Sequence, residues 1–420
     1  MHALVIENAR IVTLSYTRPD AAPKVPGLDG LLESPHRGPA EERSLGVIER
    51  GWVACSGDRI ESVGSGPAPR GHERYDARGR VLMPGFVDCH THACWAGSRF
   101  DEADQRIAGV PYLQILAAGG GIMSTVRATR AASMETLVSA TLARARAALA
   151  MGTTTLEIKS GYGLAPEPER RMLDAIHAAG HHTPQRIVPT FLGAHAKDPA
   201  NPHAVDETVG TTLPAICAAY PGIPCDAYCE EGAWSRDECE RLFRRAIALG
   251  SPIRVHADQF NSLGMTSLAI ELGARSIDHL EATTDEELRR LAGSGTIGVA
   301  LPGCGFHMDM RFARGRMLLD LGGALAIATN CNPGSSPTIS MPFIIALAVR
   351  FLRLTPAEAI LAATRNAAHV LGLGAELGSI AVGKRADLQV LATDDERALA
   401  YEYAMPGPDA LWIAGRRVVG

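Results

Sequence analysis

His90 and His92 stand two residues apart at the end of an apolar run, Pro-Gly-Phe-Val-Asp-Cys-His-Thr-His (84–92). In an extended chain alternate side chains share a face. Phe86, Asp88, His90 and His92 therefore point one way, and Val87, Cys89 and Thr91 the other. Two imidazoles so placed can grip one cation, although a pair of polar strand residues with ordinary hydrogen bonds is the plainer reading. Other apolar stretches also end in histidine: Phe-Leu-Gly-Ala-His195, Ile-Arg-Val-His256-Ala-Asp-Gln259 and Ser-Ile-Asp-His279. A lone histidine is more often a satisfied core residue than a ligand. Five of them at the ends of four such stretches shift the balance toward a site. Three neutral imidazoles and an oxygen make a zinc- or iron-type centre with room for water. Water at such a cation ionises near pH ~7 and becomes a usable nucleophile. His2, His36, His72, His177, His181, His182, His203, His307 and His369 fall on termini, loops or helices and keep the plain reading.

The elements that must hold these residues are legible as alternation. Apolar strand candidates fall at 81–92, 153–159, 186–195, 224–230, 253–259, 275–280, 296–301 and 324–331. Helical segments lie between them. Ser235-Arg-Asp-Glu238 and Thr284-Asp-Glu-Glu287 read as capping boxes, and Thr355-Pro-Ala-Glu358 starts a helix with proline in its first turn. Eight strand–helix units in succession predict a parallel (β/α)8 barrel, with an open doubly wound sheet as the alternative. In such a barrel functional groups stand at the C-terminal strand ends, where all five histidines are expected. Residues 3–14, 46–64 and the stretch after 375 read as strands outside the alternation. The two ends of the chain are therefore expected to pair into a small β-sandwich domain, formed by 1–80 and 373–420, with the barrel at 81–372 inserted. Residues 15–45 hold five prolines and read as a long exposed loop.

Composition excludes several classes. The net charge of −5 and the lack of a basic cluster give no reason to expect nucleic acid. No stretch of about 18 apolar residues exists to span a membrane, and the first apolar run is broken at Glu7. Nine scattered cysteines, odd in number, read as reduced thiols of a cytoplasmic protein. The length suits one large domain with a smaller one.

The His-x-His pair, with histidines on strands five and six, resembles the amidohydrolase superfamily. Longer stretches narrow the resemblance to its imidazolonepropionase family. These are 84–92 with Ala-Gly-Ser-Arg99, Ala-Gly-Gly-Gly-Ile-Met-Ser-Thr-Val-Arg-Ala-Thr-Arg (118–130), Glu-Ile-Lys-Ser-Gly-Tyr162, Thr-Phe-Leu-Gly-Ala-His195 and Asn332-Pro-Gly-Ser-Ser. They cover 84–340, and only the 15–45 segment is unlike the family. The resemblance implies one Zn2+ or Fe ion, held by His90, His92, His256 and position 330. It implies a small substrate with a carboxylate, 4-imidazolone-5-propanoate, whose ring amide is opened by water to N-formimidoyl-L-glutamate in histidine degradation. It implies that His279 hydrogen-bonds the attacking water. It also implies that Arg99, Tyr162, His195, Gln259, Asn332, Gly334 and Ser335 bind substrate. Their chemistry agrees. Arginine takes a carboxylate with paired hydrogen bonds, Gln259 can give and accept at once, and the Asn332–Ser335 loop offers an amide and backbone N–H groups.

Two features of the sequence qualify this. Lys159 reads as an internal charge held by a neighbour, and strand four carries Cys229-Glu230 where the superfamily's bridging lysine would sit, so one metal is expected rather than two. Position 330, an Asp in the family, is Asn330. Its amide oxygen can coordinate, but it carries no charge and cannot take a proton, so metal affinity and turnover are both expected to suffer. An exchanged Asp, a homologue whose base is His279, and a non-catalytic ligand-binding relative all remain open on sequence, as does a cyclic amidohydrolase or deaminase for a related heterocycle. A homodimer is the oligomer considered, with the apolar helix 341–349 as an interface or as a cover for the barrel.

Overall fold

The computed structural model describes residues 2–15, 34–110, 114 and 118–420. Among the described residues five strands precede the barrel: β1 (His2–Val12), β2 (Val47–Ser56), β3 (Arg59–Ser65), β4 (Gly71–Asp76) and β5 (Val81–Pro84). The barrel strands are β6 (Phe86–Asp88), β7 (Thr153–Lys159), β8 (Arg186–Ala194), β9 (Cys225–Cys229), β10 (Val255–Ala257), β11 (Ser276–His279), β12 (Ile297–Ala300) and β13 (Leu325–Ile327). Three more close the chain: β14 (Leu388–Val390), β15 (Ala410–Ile413) and β16 (Arg416–Val419).

β6 to β13 pair in sequence order, and every pairing is parallel. This is the expected barrel rather than the open sheet. The ring is closed beyond the strand ends by a bridge between Thr91 and Cys331. There His92 N–H donates to the Cys331 carbonyl at 2.9 Å and Asn330 N–H to the His90 carbonyl at 3.0 Å. Helices cover the outside, so the strands are largely buried on both faces. Every residue of β7 is buried.

The two ends of the chain form one mixed sheet in the order β16-β15-β14-β5-β1-β2-β3, with β4 branching from β1. Its core includes Leu4, Ile6, Ile11, Val53, Leu388 and Trp412. The chain passes from this sheet into the barrel at Gly85. A Cβ there would lie 2.2 Å from the Thr154 side chain, so the close approach of β5, β6 and β7 requires glycine.

Local expectations fared unevenly. Ser235 and Glu238 form a full capping box, as do Thr355 and Glu358 behind a first-turn proline. Thr284 caps its helix from one side only, because the Glu287 carboxylate turns instead to Ser262 Oγ at 2.7 Å. Most of the 15–45 segment lies outside the described residues. Its described end, expected to be exposed, is partly docked: Ala40 and Leu45 are buried, His36 N–H donates to Asn366 Oδ1 at 2.6 Å, and Ala40 N–H donates to Glu358 at 3.1 Å. The helix Met341–Phe351 is a cover, not a free face. Met341, Ile344, Ile345, Leu347 and Ala348 are buried against the barrel, which removes the sequence argument for an interface there.

Trp412 is fully buried and meets Tyr75 edge-on at 4.9 Å. Trp412→Ala is expected to destabilise the mixed sheet by about 3–5 kcal/mol, read as a lower urea midpoint.

Candidate active site

Strand ends β6, β10 and β11 bring four histidines together. His256 Nε2 faces His92 Nε2 at 3.3 Å. His90 and His256 have ring centroids 4.4 Å apart, and His279 lies 5.6 Å from His256. Nitrogens of His90, His92 and His256 all lie within 4.8 Å of one another. Burial drives all three imidazoles below the usual range, His90 and His92 well below it, so they are neutral and able to donate lone pairs. The Lys159 charge pushes His90 the same way.

Beneath them lies a layer of buried charge that sequence reasoning did not assemble. Asp278 Oδ2 receives His90 Nδ1 at 2.6 Å and Arg254 Nη2 at 2.6 Å. Asp226 receives His256 Nδ1 at 3.0 Å through one oxygen and Lys159 Nζ at 2.8 Å through the other. Glu157 joins the two cations, accepting from Lys159 at 2.8 Å and Arg254 at 2.6 Å. All five side chains are essentially inaccessible. The internal-charge reading of Lys159 is thus correct, with two partners. Asp226 and Asp278 fix the Nδ1–H tautomer of their histidines and turn Nε2 inward. The signal in the sequence was a charged residue inside each of several otherwise apolar strands.

These donors suit a cation. His90 Nε2 and Asn330 Oδ1 are buried with no hydrogen-bond partner among the described residues. Orphaned acceptors at such depth are costly unless something binds them. Asn330 is held with φ +53°, a left-handed conformation that asparagine tolerates better than most residues. Beside it Asp88 accepts from the Thr329 N–H at 3.1 Å, and burial raises its carboxyl to about 7.

Above the histidines opens a cavity of about 410 Å³. It gathers the expected residues: Arg99, Tyr162, His195, Gln259, His279, Asn330, Asn332, Gly334 and Ser335 all line it with His92 and His256. His195 Nδ1 donates to the Gly161 carbonyl at 3.0 Å, leaving Nε2 as an acceptor, and burial lowers its pKa to about 3. The Tyr162 hydroxyl is pushed up by burial and stays protonated, a donor. Arg99 Nε pairs with Glu102 at 2.6 Å and Nη1 donates to Thr125 Oγ1 at 3.1 Å. His279 Nδ1 meets Glu281 at 3.3 Å, so Nε2 is the nitrogen left for the cavity.

One expectation needs correction, and the capacity of Gln259 to give and accept is halved rather than lost. Gln259 is not free: Tyr228 Oη donates to its Oε1 at 2.8 Å, and its Nε2 donates to Cys304 Sγ at 3.3 Å. One amide hydrogen and one lone pair remain for a ligand. The amide and N–H groups of the Asn332 loop are not open either. Asn332 Oδ1 accepts the N–H of Gly334 and of Ser335, each at 2.8 Å, and its Nδ2 donates to the Asn330 carbonyl at 2.7 Å. The side chain ties a turn that walls the cavity beside Arg99. Tyr228, Trp95 and Glu102 also line the cavity and had no motif to announce them.

A relative from Herpetosiphon aurantiacus named imidazolonepropionase is 46% identical over 403 residues, spanning 92% of this chain and 94% of that protein. The chain belongs to the imidazolonepropionase family. A second family member, from Symbiobacterium thermophilum, is 44% identical over 402 residues, spanning 92% and 93%. The profile described as "Amidohydrolase family" matches residues 308–418. Solved structures share the fold at low identity. A zinc-bound adenosine deaminase from Xanthomonas campestris has a TM-score of 0.70 at 19% identity, over 100% of this chain and 93% of that one. A 5-methylcytosine deaminase from Klebsiella pneumoniae has a TM-score of 0.73 at 14% identity, over 99% and 97%. As an imidazolonepropionase-family protein the chain is a hydrolase, and its buried histidines fit the metal that its fold implies.

Asp278→Asn keeps the shape of the carboxylate but removes its charge. Metal affinity, measured by competition with a chelator, is expected to fall about 10–100-fold.

Proposed function

We propose that the chain opens the ring amide of 4-imidazolone-5-propanoate with water, giving N-formimidoyl-L-glutamate, as a step of histidine degradation in the cytoplasm. One observation carries this reading. A single cavity of about 410 Å³ has a guanidinium, Arg99, and a cluster of imidazoles, His92, His256 and His279, in its wall. A small molecule with a carboxylate and a hydrolysable ring amide matches both. The cysteines of the chain are all buried free thiols, which supports a reducing compartment.

His90, His92, His256 and Asn330 would hold one zinc or iron ion, which supplies an acidified water and polarises a carbonyl when bound. The chain's own groups do the rest. Arg99, its Nε edge engaged by Glu102, presents the Nη end to the substrate carboxylate. Tyr162 donates to the ring's polar edge while His195 Nε2 and Gln259 accept from its N–H groups. His279 Nε2 takes a proton from the attacking water as the new C–O bond forms at the ring carbonyl. It returns that proton to the ring nitrogen as the C–N bond breaks, leaving the formimidoyl nitrogen on one product end and, on the other, a carboxylic acid that loses its proton to solvent. Glu281 at Nδ1 steadies the imidazolium between the two transfers.

Asn330 cannot share this proton. Asn330→Asp is expected to raise kcat by about 10²–10⁴-fold, the usual worth of general-base help. Release of N-formimidoyl-glutamate by the native chain and by this variant, both metal-loaded, tests the assignment, and no release by either refutes it. Arg99→Ala is expected to raise KM about 10–100-fold, the worth of a hydrogen-bonded charge. Hydrolysis of a ring analogue without the propanoate should be unchanged by that substitution.

A further inference from the structure

His279 belongs to a second constellation. A ring nitrogen of His279, a Glu281 carboxylate oxygen and Cys304 Sγ lie within 4.8 Å of one another, and Nδ1 is the nitrogen that meets Glu281, at 3.3 Å. The three come from separate segments: the end of β11, the loop after it, and the helix Pro302–Met308. The Glu281 side chain is 5% exposed, and its Oε2, 3.3 Å from His279 Nδ1, makes no well-aligned hydrogen bond among the described residues. Glu281 and Cys304 also border a small, partly open space of about 10 Å³, flanked by Gln259 and Phe260. That is roughly one water-sized sphere.

We propose that His279, Glu281 and Cys304 form a second, inhibitory site for one thiophilic divalent cation of the zinc type. An imidazole, a carboxylate and a thiolate are the donors zinc takes, and the small space leaves a fourth position for water. The thiolate discriminates against magnesium and calcium, which prefer all-oxygen sites. Occupation displaces the Cys304 thiol proton to solvent and moves the His279 proton from Nδ1 to Nε2. Cation binding therefore releases one proton overall. A ring metallated at Nδ1 presents only N–H to the cavity, so it can no longer accept a proton from water. This consequence rests on the base role assigned to His279 above; the binding itself does not. Burial raises the Cys304 thiol to about 12, and Glu281 adds to the shift, so the thiolate is costly to form. The second site fills only when zinc is in excess over the first.

The test starts from protein carrying one equivalent of metal, titrated with Zn2+ and separately with Co2+. A second bound equivalent is expected, accompanied for cobalt by a thiolate charge-transfer band in the near ultraviolet, with turnover falling at least 10-fold as it fills. Cys304→Ser and Glu281→Gln should keep the first equivalent and lose the second together with the band. A stoichiometry that stays at one, a second equivalent without the band, or one that survives Cys304→Ser overturns the site. A band that forms with turnover undiminished overturns its inhibitory role. Absence of turnover before any excess metal is added counts against the proposed reaction, while stoichiometry and band still decide the site.

Discussion

Five charged side chains buried together under the histidines are the constraint on which this structure turns. Glu157, Asp226 and Asp278 are carboxylates that could not be taken from water alone, and Lys159 and Arg254 are the only cations in hydrogen-bond reach of them among the described residues. Removing one partner from such a buried pair costs about 3–5 kcal/mol, because it strands the other charge. The arrangement closes only if β7, β9, β10 and β11 are in register, since β7, β9 and β11 each contribute one or two members and Arg254 immediately precedes β10. The requirement that holds these strands also aims His90 and His256. The polar layer is therefore both a lock on barrel register and the mounting of the site.

That mounting bears on Asn330. A family site with Asp at this position carries its negative charge directly at the cation; here the position is neutral. Three carboxylates and two cations leave one net negative charge in the layer below. It reaches the imidazoles through Asp226 and Asp278, which hydrogen-bond their Nδ1 atoms. Cation affinity can thus survive the exchange better than proton transfer does, since a charge behind the ring cannot receive a proton from water in front of it. The seam between β6 and β13 adds position without charge: the backbone bonds of His92 and Asn330 across it fix where the amide oxygen points.

Motifs and geometry divide the labour in the cavity. Arg99, Tyr162, His195 and Gln259, which the family motifs singled out, line its wall, but what each has left to offer depends on its neighbours. Tyr228 and Cys304 take half of the Gln259 amide, and Glu102 takes one edge of the Arg99 guanidinium. The Asn332 loop is the clearest case. Its amide and N–H groups read as open donors in the sequence and turn out to satisfy one another. A turn that is already closed presents a fixed wall and costs a ligand nothing to organise.

The sequence by itself determined the barrel, because strands buried on both faces must be apolar runs and helix starts carry capping residues that act within one turn. It determined the His-x-His pair for the same reason: strand periodicity is local. It could not determine partners separated by tens of residues. The descent of Asp278 onto His90 and of Asp226 onto His256 depends on barrel closure and on the crossing of successive strands. The docking of residues 34–45 and the diversion of Glu287 to Ser262 were hidden likewise, since in each a side chain prefers a distant partner to the local one its sequence suggests. Local periodicity wrote the scaffold and the ligand types. Only the closed tertiary structure decided which hydrogen bonds remain for chemistry, because a donor or acceptor already paired in the fold is no longer free for a substrate.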